Sequence, residues 1–328
     1  MTTSLKLGVL DLVPRLMDHT FEEALQQAVR LAQHAESWGY QRYWAAEHHD
    51  LEHLACASPE ILLSHIGART NTIRLGSGAV LLPHYSPLKV AENFRMLASL
   101  YPGRIDLGIG RAPGGSAHTS MALSGNFLGH VADMPNRVQA LTELLADAYR
   151  YEDVPVRAKP VPQVAPMLWM LGTNSKSAAF AAEFGACYVF GQFMSEADGT
   201  SVLRSYREGF QPSVHVREPH AMVAVSVICA ETDGEASELA NQAASHRQEH
   251  NEPPSSAVHQ PLEQGSNDKG SFAQGQLIVG TPSYVIEALR DMEQTYGCDE
   301  FLITTPVRDY EARLESFRLL MNQAAEYI

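Results

Sequence analysis

A closed (β/α)8 barrel is predicted for this chain on three observations. Strand-like and helix-like segments alternate along its whole length, and eight strands can be counted. A chain of 328 residues suits eight such repeats better than it suits an open sheet. Two buried strand-like segments about sixty residues apart also stop and at once present charged or imidazole groups. They are Tyr43-Trp44-Ala45-Ala46-Glu47-His48-His49 and Arg104-Ile105-Asp106-Leu107-Gly108-Ile109-Gly110-Arg111. Parallel α/β folds build active sites where strands end, so the pair points to an enzyme rather than a scaffold.

The elements follow in order. Leu5-Lys6-Leu7-Gly8-Val9-Leu10 reads as the first strand. Residues 20–38 carry Phe21, Leu25, Ala28, Val29, Ala32 and Ala35 at helical spacing. Thr20 can cap this helix, Glu22 and Glu23 suit its first turn, and Gly39 ends it. Residues 43–46 form the second strand, and Ser58-Pro59-Glu60 opens a helix to about residue 69. Further strands are predicted at 73–82, 104–109, 166–171, 186–190, 220–229 and 300–304. The helices between and after them lie at 87–100, 135–149, 175–184, 196–210, 233–246, 282–296 and 310–326. No clear pair of short or charged edge strands supports an open sheet.

Two stretches depart from the repeat. Residues 112–132 form a long Gly- and Ser-rich connection after the fourth strand. Residues 250–276, a polar insertion after the seventh strand, contain Pro253-Pro254, Ser255-Ser256, Gly265, Asn267 and Gly270. So polar a segment cannot bury a core of its own. It is either a tolerated surface insertion or a lid over the barrel mouth within a single domain spanning 1–328.

Composition narrows the partners. A hydrophobic content of 45% supports a sizeable core. Against 38 acidic residues stand 24 basic ones, a formal charge of -14, which disfavours nucleic acid or an anionic membrane. Cys56, Cys187, Cys229 and Cys298 are far apart and match no zinc or redox spacing, so they read as buried thiols of a reducing cytosol. The first residues lack a basic n-region followed by an apolar h-region, and no apolar run is long enough to span a bilayer. A cytoplasmic location is therefore expected.

Chemistry is expected at the strand ends. Neighbouring residues on an extended chain point to opposite sides, so only one of His48 and His49 can face the barrel centre. Imidazole suits acid–base work near neutrality, although both could instead be surface histidines. His53 and Glu47 raise a metal site as a third option, but the spacing fits no common metal signature, and no metal is expected. Gly108-Ile109-Gly110-Arg111-Ala112-Pro113-Gly114-Gly115 resembles an anion-binding turn in which Arg111 can grip phosphate. It is neither a Walker motif nor a dinucleotide fingerprint. Gly172-Thr173-Asn174-Ser175-Lys176-Ser177 opens a helix, where amides favour an anion or where one side chain simply caps. Asp11, His84 and Tyr85 also fall at strand ends and either line a pocket or pack locally. The small residues Ser77-Gly78-Ala79 would admit a flat ring or mark a tight packing point.

Together these segments resemble the bacterial-luciferase-like flavin monooxygenases. The likeness also takes in Ser77-Gly78-Ala79-Val80-Leu81-Leu82-Pro83-His84-Tyr85-Ser86-Pro87, Gly280-Thr281-Pro282 and Thr304-Thr305-Pro306, and runs from about residue 5 to 317 without the polar insertion. The resemblance implies a (β/α)8 barrel that takes reduced FMN from a separate NAD(P)H:flavin reductase, or else uses the deazaflavin F420. FMN members add O2 at the flavin C4a carbon, and the peroxide attacks a small organic substrate. It assigns His48 to the active-site histidine beside the flavin ring and Arg111 to the flavin phosphate. Thr173, Asn174 and Ser177 match the phosphate-binding turn, and Ala79 the backbone against the ring, often with a non-proline cis peptide nearby. It also implies a homodimer through helices near strands two and three. Gly110 stands where the light-emitting subunit has a reactive cysteine, so nothing points to bioluminescence. F420-dependent hydride transfer and a non-catalytic flavin-binding subunit are the alternative functions.

Overall fold

The structure, a computed structural model, describes residues 5–16, 18–249 and 277–326. Its elements in chain order are β1 (Lys6–Asp11), α1 (Phe21–Trp38), β2 (Arg42–Ala45), α2 (Pro59–Gly67), β3 (Arg74–Ser77), β4 (Val80–Leu81), α3 (Pro87–Leu100), β5 (Ile105–Gly110), α4 (Ala117–Ser124), α5 (Phe127–Ala132) and α6 (Met134–Leu145). There follow β6 (Arg150–Tyr151), β7 (Val154–Pro155), β8 (Met167–Gly172), α7 (Ser175–Glu183), β9 (Cys187–Gly191), α8 (Gly199–Gly209), β10 (Ala221–Cys229), α9 (Asp233–Glu249), β11 (Leu277–Gly280), α10 (Pro282–Tyr296), β12 (Glu300–Thr304) and α11 (Tyr310–Ala325). Eight strands pair in parallel in the order β1-β2-β3-β5-β8-β9-β10-β12, and β12 returns to β1, closing the barrel. These eight are the strands read from the sequence.

The local signals act as expected at α1. Thr20 and Glu23 form a capping box, and Gly39 takes a left-handed φ of 98° to end the helix. At α2 Ser58 occupies the cap position, but its side chain makes no capping hydrogen bond. Three features differ from the sequence reading. The predicted strand at 73–82 is broken into β3 and β4 by a cis peptide between Gly78 and Ala79. The connection at 112–132 folds into α4 and α5, and β11 adds a short strand to the last four residues of β10. The expected lid at 250–276 lies outside the described residues.

Strand alternation separates two apolar layers. Leu7, Val9, Tyr43, Leu75, Leu107 and Ile303 face the helices in the main core. Leu10, Trp44, Trp169, Val189, Met222 and Leu302 fill the barrel interior. Gly108 has no room for a side chain, because a Cβ there would sit 2.0 Å from the Ser77 carbonyl oxygen.

The interior also holds a buried ionic layer. Arg42 Nη1 donates to Asp106 at 2.5 Å, and its Nε donates to Glu300 at 2.7 Å. Arg74 Nη2 donates to the second oxygen of Asp106 at 2.5 Å, and the Trp44 indole N–H reaches Asp106 at 3.1 Å. His220 hydrogen-bonds the other Glu300 oxygen at 2.9 Å. Burial opposes the charge on Glu300, but the His220 hydrogen bond and the Arg42 guanidinium hold its carboxyl below the ordinary range.

Removing one member leaves buried charge uncompensated. Asp106→Asn is expected to cost about 3–5 kcal/mol of unfolding free energy. Urea denaturation at neutral pH measures it, and a loss below about 1 kcal/mol would show that the layer contributes no more than an exposed ion pair.

Candidate active site

The closed barrel brings the C-terminal ends of its strands to one face. The chain beyond β2 reaches that face as Glu47-His48-His49. Glu47 is buried and fully engaged. Its Oε1 accepts from the Tyr85 hydroxyl and pairs with His49 Nε2, each at 2.8 Å, while Oε2 accepts from the Leu81 N–H at 3.2 Å. Burial, reinforced by Glu47, pushes the Tyr85 hydroxyl pKa well above its ordinary value. His49 N–H donates to the Gly114 carbonyl at 2.8 Å, and His84 Nε2 donates to the Pro113 carbonyl at 2.9 Å. His84 also stacks on Phe127. The ends of β2 and β4 and the loop after β5 are thus tied into one unit. Sequence reading placed His84 and Tyr85 at this face but missed Glu47 as the hub that joins Tyr85, His49 and the Leu81 amide. The signal was an acidic side chain two residues from a histidine on an extended chain.

His48 is in a different position. Glu47 and His49, two residues apart, meet on one face of the extended chain. His48, between them, falls on the other. Its Nδ1 is buried and has no hydrogen-bond partner. Burial, with smaller contributions from His53 and His49, lowers its pKa to about 4. His48 is therefore a neutral imidazole at neutral pH.

Strand register orders the other candidates. Ala79 is buried beside Gly110, since a Cβ on Gly110 would lie 3.3 Å from that of Ala79. Arg111 follows Gly110 and is exposed, with no hydrogen bond or ion pair to another described residue. Ile109 pairs with Met170, which sets Arg111 beside the turn that leaves β8. In that turn Asn174 caps α7. Its Oδ1 accepts from the Lys176 and Ser177 amides at 3.1 and 3.2 Å. The Ser177 hydroxyl donates to the Asn174 carbonyl at 2.7 Å, and the Thr173 carbonyl accepts from Ser195 at 2.6 Å. Of the two roles weighed for this turn, the structure shows the cap, which already engages two of the amides that could face an anion. His48, Ala79, Arg111 and Thr173 stand at the ends of successive strands and form one arc of the mouth.

Asp11 lies outside that arc. It shares the outward face of β1 with Leu7 and Val9, and it accepts from the Tyr43 hydroxyl at 2.7 Å, the Val13 N–H at 2.7 Å and Arg313 at 2.8 Å. Strand position alone did not reveal this outward direction. Among the described residues no cluster of three or more His, Cys, Asp or Glu side chains could hold a metal ion. A cleft of about 460 Å³ between α9 and α11, lined by Glu231, Glu235, Glu238 and Glu315, shares no residue with the arc. Among the described residues no helix is long and apolar enough to cross a membrane.

Comparison with known proteins identifies the family. Residues 5–298 match the family described as Luciferase-like monooxygenase. The chain is 40% identical over 329 residues to the uncharacterized protein YceB of Bacillus subtilis (strain 168), covering 96% of this chain and 98% of YceB. It is 33% identical over 326 residues to N-acetyl-S-alkylcysteine monooxygenase of the same organism, covering 96% and 97%. The crystal structure of apo-MsnO8 superposes with a TM-score of 0.84 at 35% identity, over 99% of each chain. The chain belongs to the luciferase-like monooxygenase family. It is an oxidoreductase of that flavin-using, monooxygenase-type class.

The state of His48 can be measured directly. An unfolded histidine takes up its proton near pH 6.5, whereas folded His48 stays neutral down to about 4. Between these values the unfolded chain binds the extra proton, so stability falls as the pH drops through that window. His48→Gln is expected to flatten this slope in urea midpoints compared at pH 7 and pH 4.5. An NMR titration of the His48 ring with a midpoint near 6.5 would refute the assignment.

Proposed function

We propose that this protein oxygenates a small organic substrate with O2 and reduced FMN, the flavin being delivered by a separate NAD(P)H:flavin reductase. The observation that carries the reading is the arc of His48, Ala79, Arg111 and Thr173 on neighbouring strands. It sets a neutral imidazole with an unpartnered buried nitrogen at one end, and an exposed, unpaired guanidinium beside a helix start at the other. A flavin mononucleotide has this polarity, with an uncharged ring at one end and a phosphate at the other.

Bound reduced FMN would supply the oxygen chemistry at its C4a carbon. The protein's own share is to hold and protonate. Arg111 holds the phosphate as a bidentate donor, next to the Thr173–Ser177 turn. Asn174 and Ser177 keep that turn and the start of α7 in place through their capping box. Ala79 and Gly110 keep the wall slim enough for a planar ring. His48, held neutral, can accept a proton at Nδ1 and return it. The Glu47 hub fixes the backbone on either side of His48 while leaving that nitrogen unengaged.

The substrate panel begins with N-acetyl-S-alkylcysteines, because a relative of full length is named for them. A second copy of the chain across α2 and α3 is supported by the exposed Ile61, Met96 and Leu100 (69%, 48% and 56%), and light scattering in solution tests it.

Arg111→Ala is expected to weaken FMN binding about tenfold to a hundredfold by calorimetric titration, the loss of a charged hydrogen-bond pair. An unchanged dissociation constant would count against its role. His48→Ala should leave that constant near wild type while substrate oxidation falls about a hundredfold or more. Wild-type turnover in that variant would remove His48 from the mechanism. Titration with FMN and with F420 in parallel separates oxygenation from hydride transfer, and preference for F420 would overturn the FMN reading.

A further inference from the structure

We infer that Gln192 is a ligand-recognition residue that pairs, through both atoms of its amide, with a ligand group offering a carbonyl and an N–H side by side. The inference deepens the reading of the site as a flavin monooxygenase and rests on it.

Gln192 opens the 3-10 turn Gln192–Met194 directly after β9, at the same face as His48 and Arg111. It is 1% exposed, and neither its Oε1 nor its Nε2 has a hydrogen-bond partner. Both halves of a buried amide left unmade are costly, so such a group persists where it serves a partner. Several other buried side chains with an unpartnered atom are otherwise anchored. His84 bonds Pro113 through its second nitrogen, Arg95 bonds Asp147, Arg137 bonds the Tyr85 carbonyl, and Arg313 bonds Asp11. Gln192 has no such anchor.

Its location is set by β8 and β9. Gly172 pairs with Phe190, and the methyl group of Thr173 would lie 3.5 Å from a Cβ on Gly191. Ser195, three residues on, donates to the Thr173 carbonyl at 2.6 Å. Gln192 therefore extends the arc of His48, Ala79, Arg111 and Thr173 by one strand. The next residue, Phe193, belongs to the apolar cluster of the barrel interior, and the Gln192 side chain is itself almost wholly out of water. Thr305, after β12, is a second buried side chain at this face whose hydroxyl lacks a partner.

The chemistry selects the ligand class. A carboxamide donates and accepts in one plane, so its complement is a C=O and an N–H held on the same side. The imide of the flavin ring carries that edge, whereas the trans amide of an N-acylated substrate holds its C=O and N–H on opposite sides and can meet only one half of the carboxamide.

The test uses Gln192→Met, close in volume and without hydrogen-bonding atoms. Calorimetry measures oxidised FMN on wild type and variant, with N-acetyl-S-methylcysteine against S-methylcysteine as the control for a substrate contact. The imide partner predicts FMN binding weakened about tenfold in the variant. The melting temperature of the free variant stays at or above that of wild type, because an unpaired buried amide has been removed. Unchanged FMN affinity, with or without loss of a preference for the acylated ligand, or a lowered melting temperature with binding intact, overturns the inference. Should Gln192→Met fold poorly, Gln192→Leu, equally without hydrogen-bonding atoms, must show the same weakening. If wild type binds no flavin, the monooxygenase reading fails on its own. Lumichrome, which keeps the imide and lacks the phosphate chain, then decides Gln192 by the same comparison, and equal affinity for wild type and variant overturns the inference.

Discussion

Arg42 stands between Asp106 and Glu300 with all three side chains out of water, and the barrel interior is organised around that contact. A guanidinium in such a place needs acceptors in its own plane, and strands on either side provide them. The acceptors are in turn shared with Arg74, Trp44 and His220. Four strands, and the residue that leads into β10, are thereby joined through side chains as well as through backbone ladders. Breaking up such a layer is expensive, because each charge left behind is stranded in a poor solvent. It fixes which residues face inward, and the alternation that it anchors continues to the strand ends.

The consequence is felt at the mouth. Trp44, tied to Asp106, lies directly under Gly76, whose Cβ would fall 2.3 Å from the indole nitrogen. It also reaches Gly78, at the start of the turn into β4. From floor to mouth the order is ionic layer, indole, glycine-rich strand, and the slim wall at Ala79. The Glu47 hub does for the rim what Arg42 does for the floor. One carboxylate with three donors holds two strand ends and a loop together, and His48 is free of that duty. Divided labour of this kind lets a neutral imidazole stay unengaged in a well-packed wall.

Much of this was legible in the chain. The eight barrel strands announce themselves by apolar runs, and α1 by Thr20, Glu23 and Gly39. What was not legible depended on partners distant in sequence. The apolar run at 73–82 alone fits one continuous strand, and it is the family resemblance, with its non-proline cis peptide near Ala79, that points to the break between Gly78 and Ala79. Leu277–Gly280 is too short to stand out beside a polar stretch. Asp11 ends a strand as a pocket residue would, yet its direction is decided by Tyr43 and by Arg313, which is 302 residues away. Gln192 looks like an ordinary turn residue, and only its burial without a partner distinguishes it. Spacing alone leaves Arg111 and the Thr173 turn apart; the resemblance assigns both to one phosphate, and the pairing of β5 with β8 makes them neighbours.

The four cysteines have a meaning beyond packing. Each is buried, and burial first of all raises its thiol pKa, to about 12 for Cys56, Cys187 and Cys229 and to about 11 for Cys298. None supplies a thiolate, the form that oxidants attack. Gly110 keeps sulfur away from the residue just before Arg111. Under the oxygen chemistry proposed for this site, peroxide released by a misfired cycle would meet no thiolate among these four cysteines.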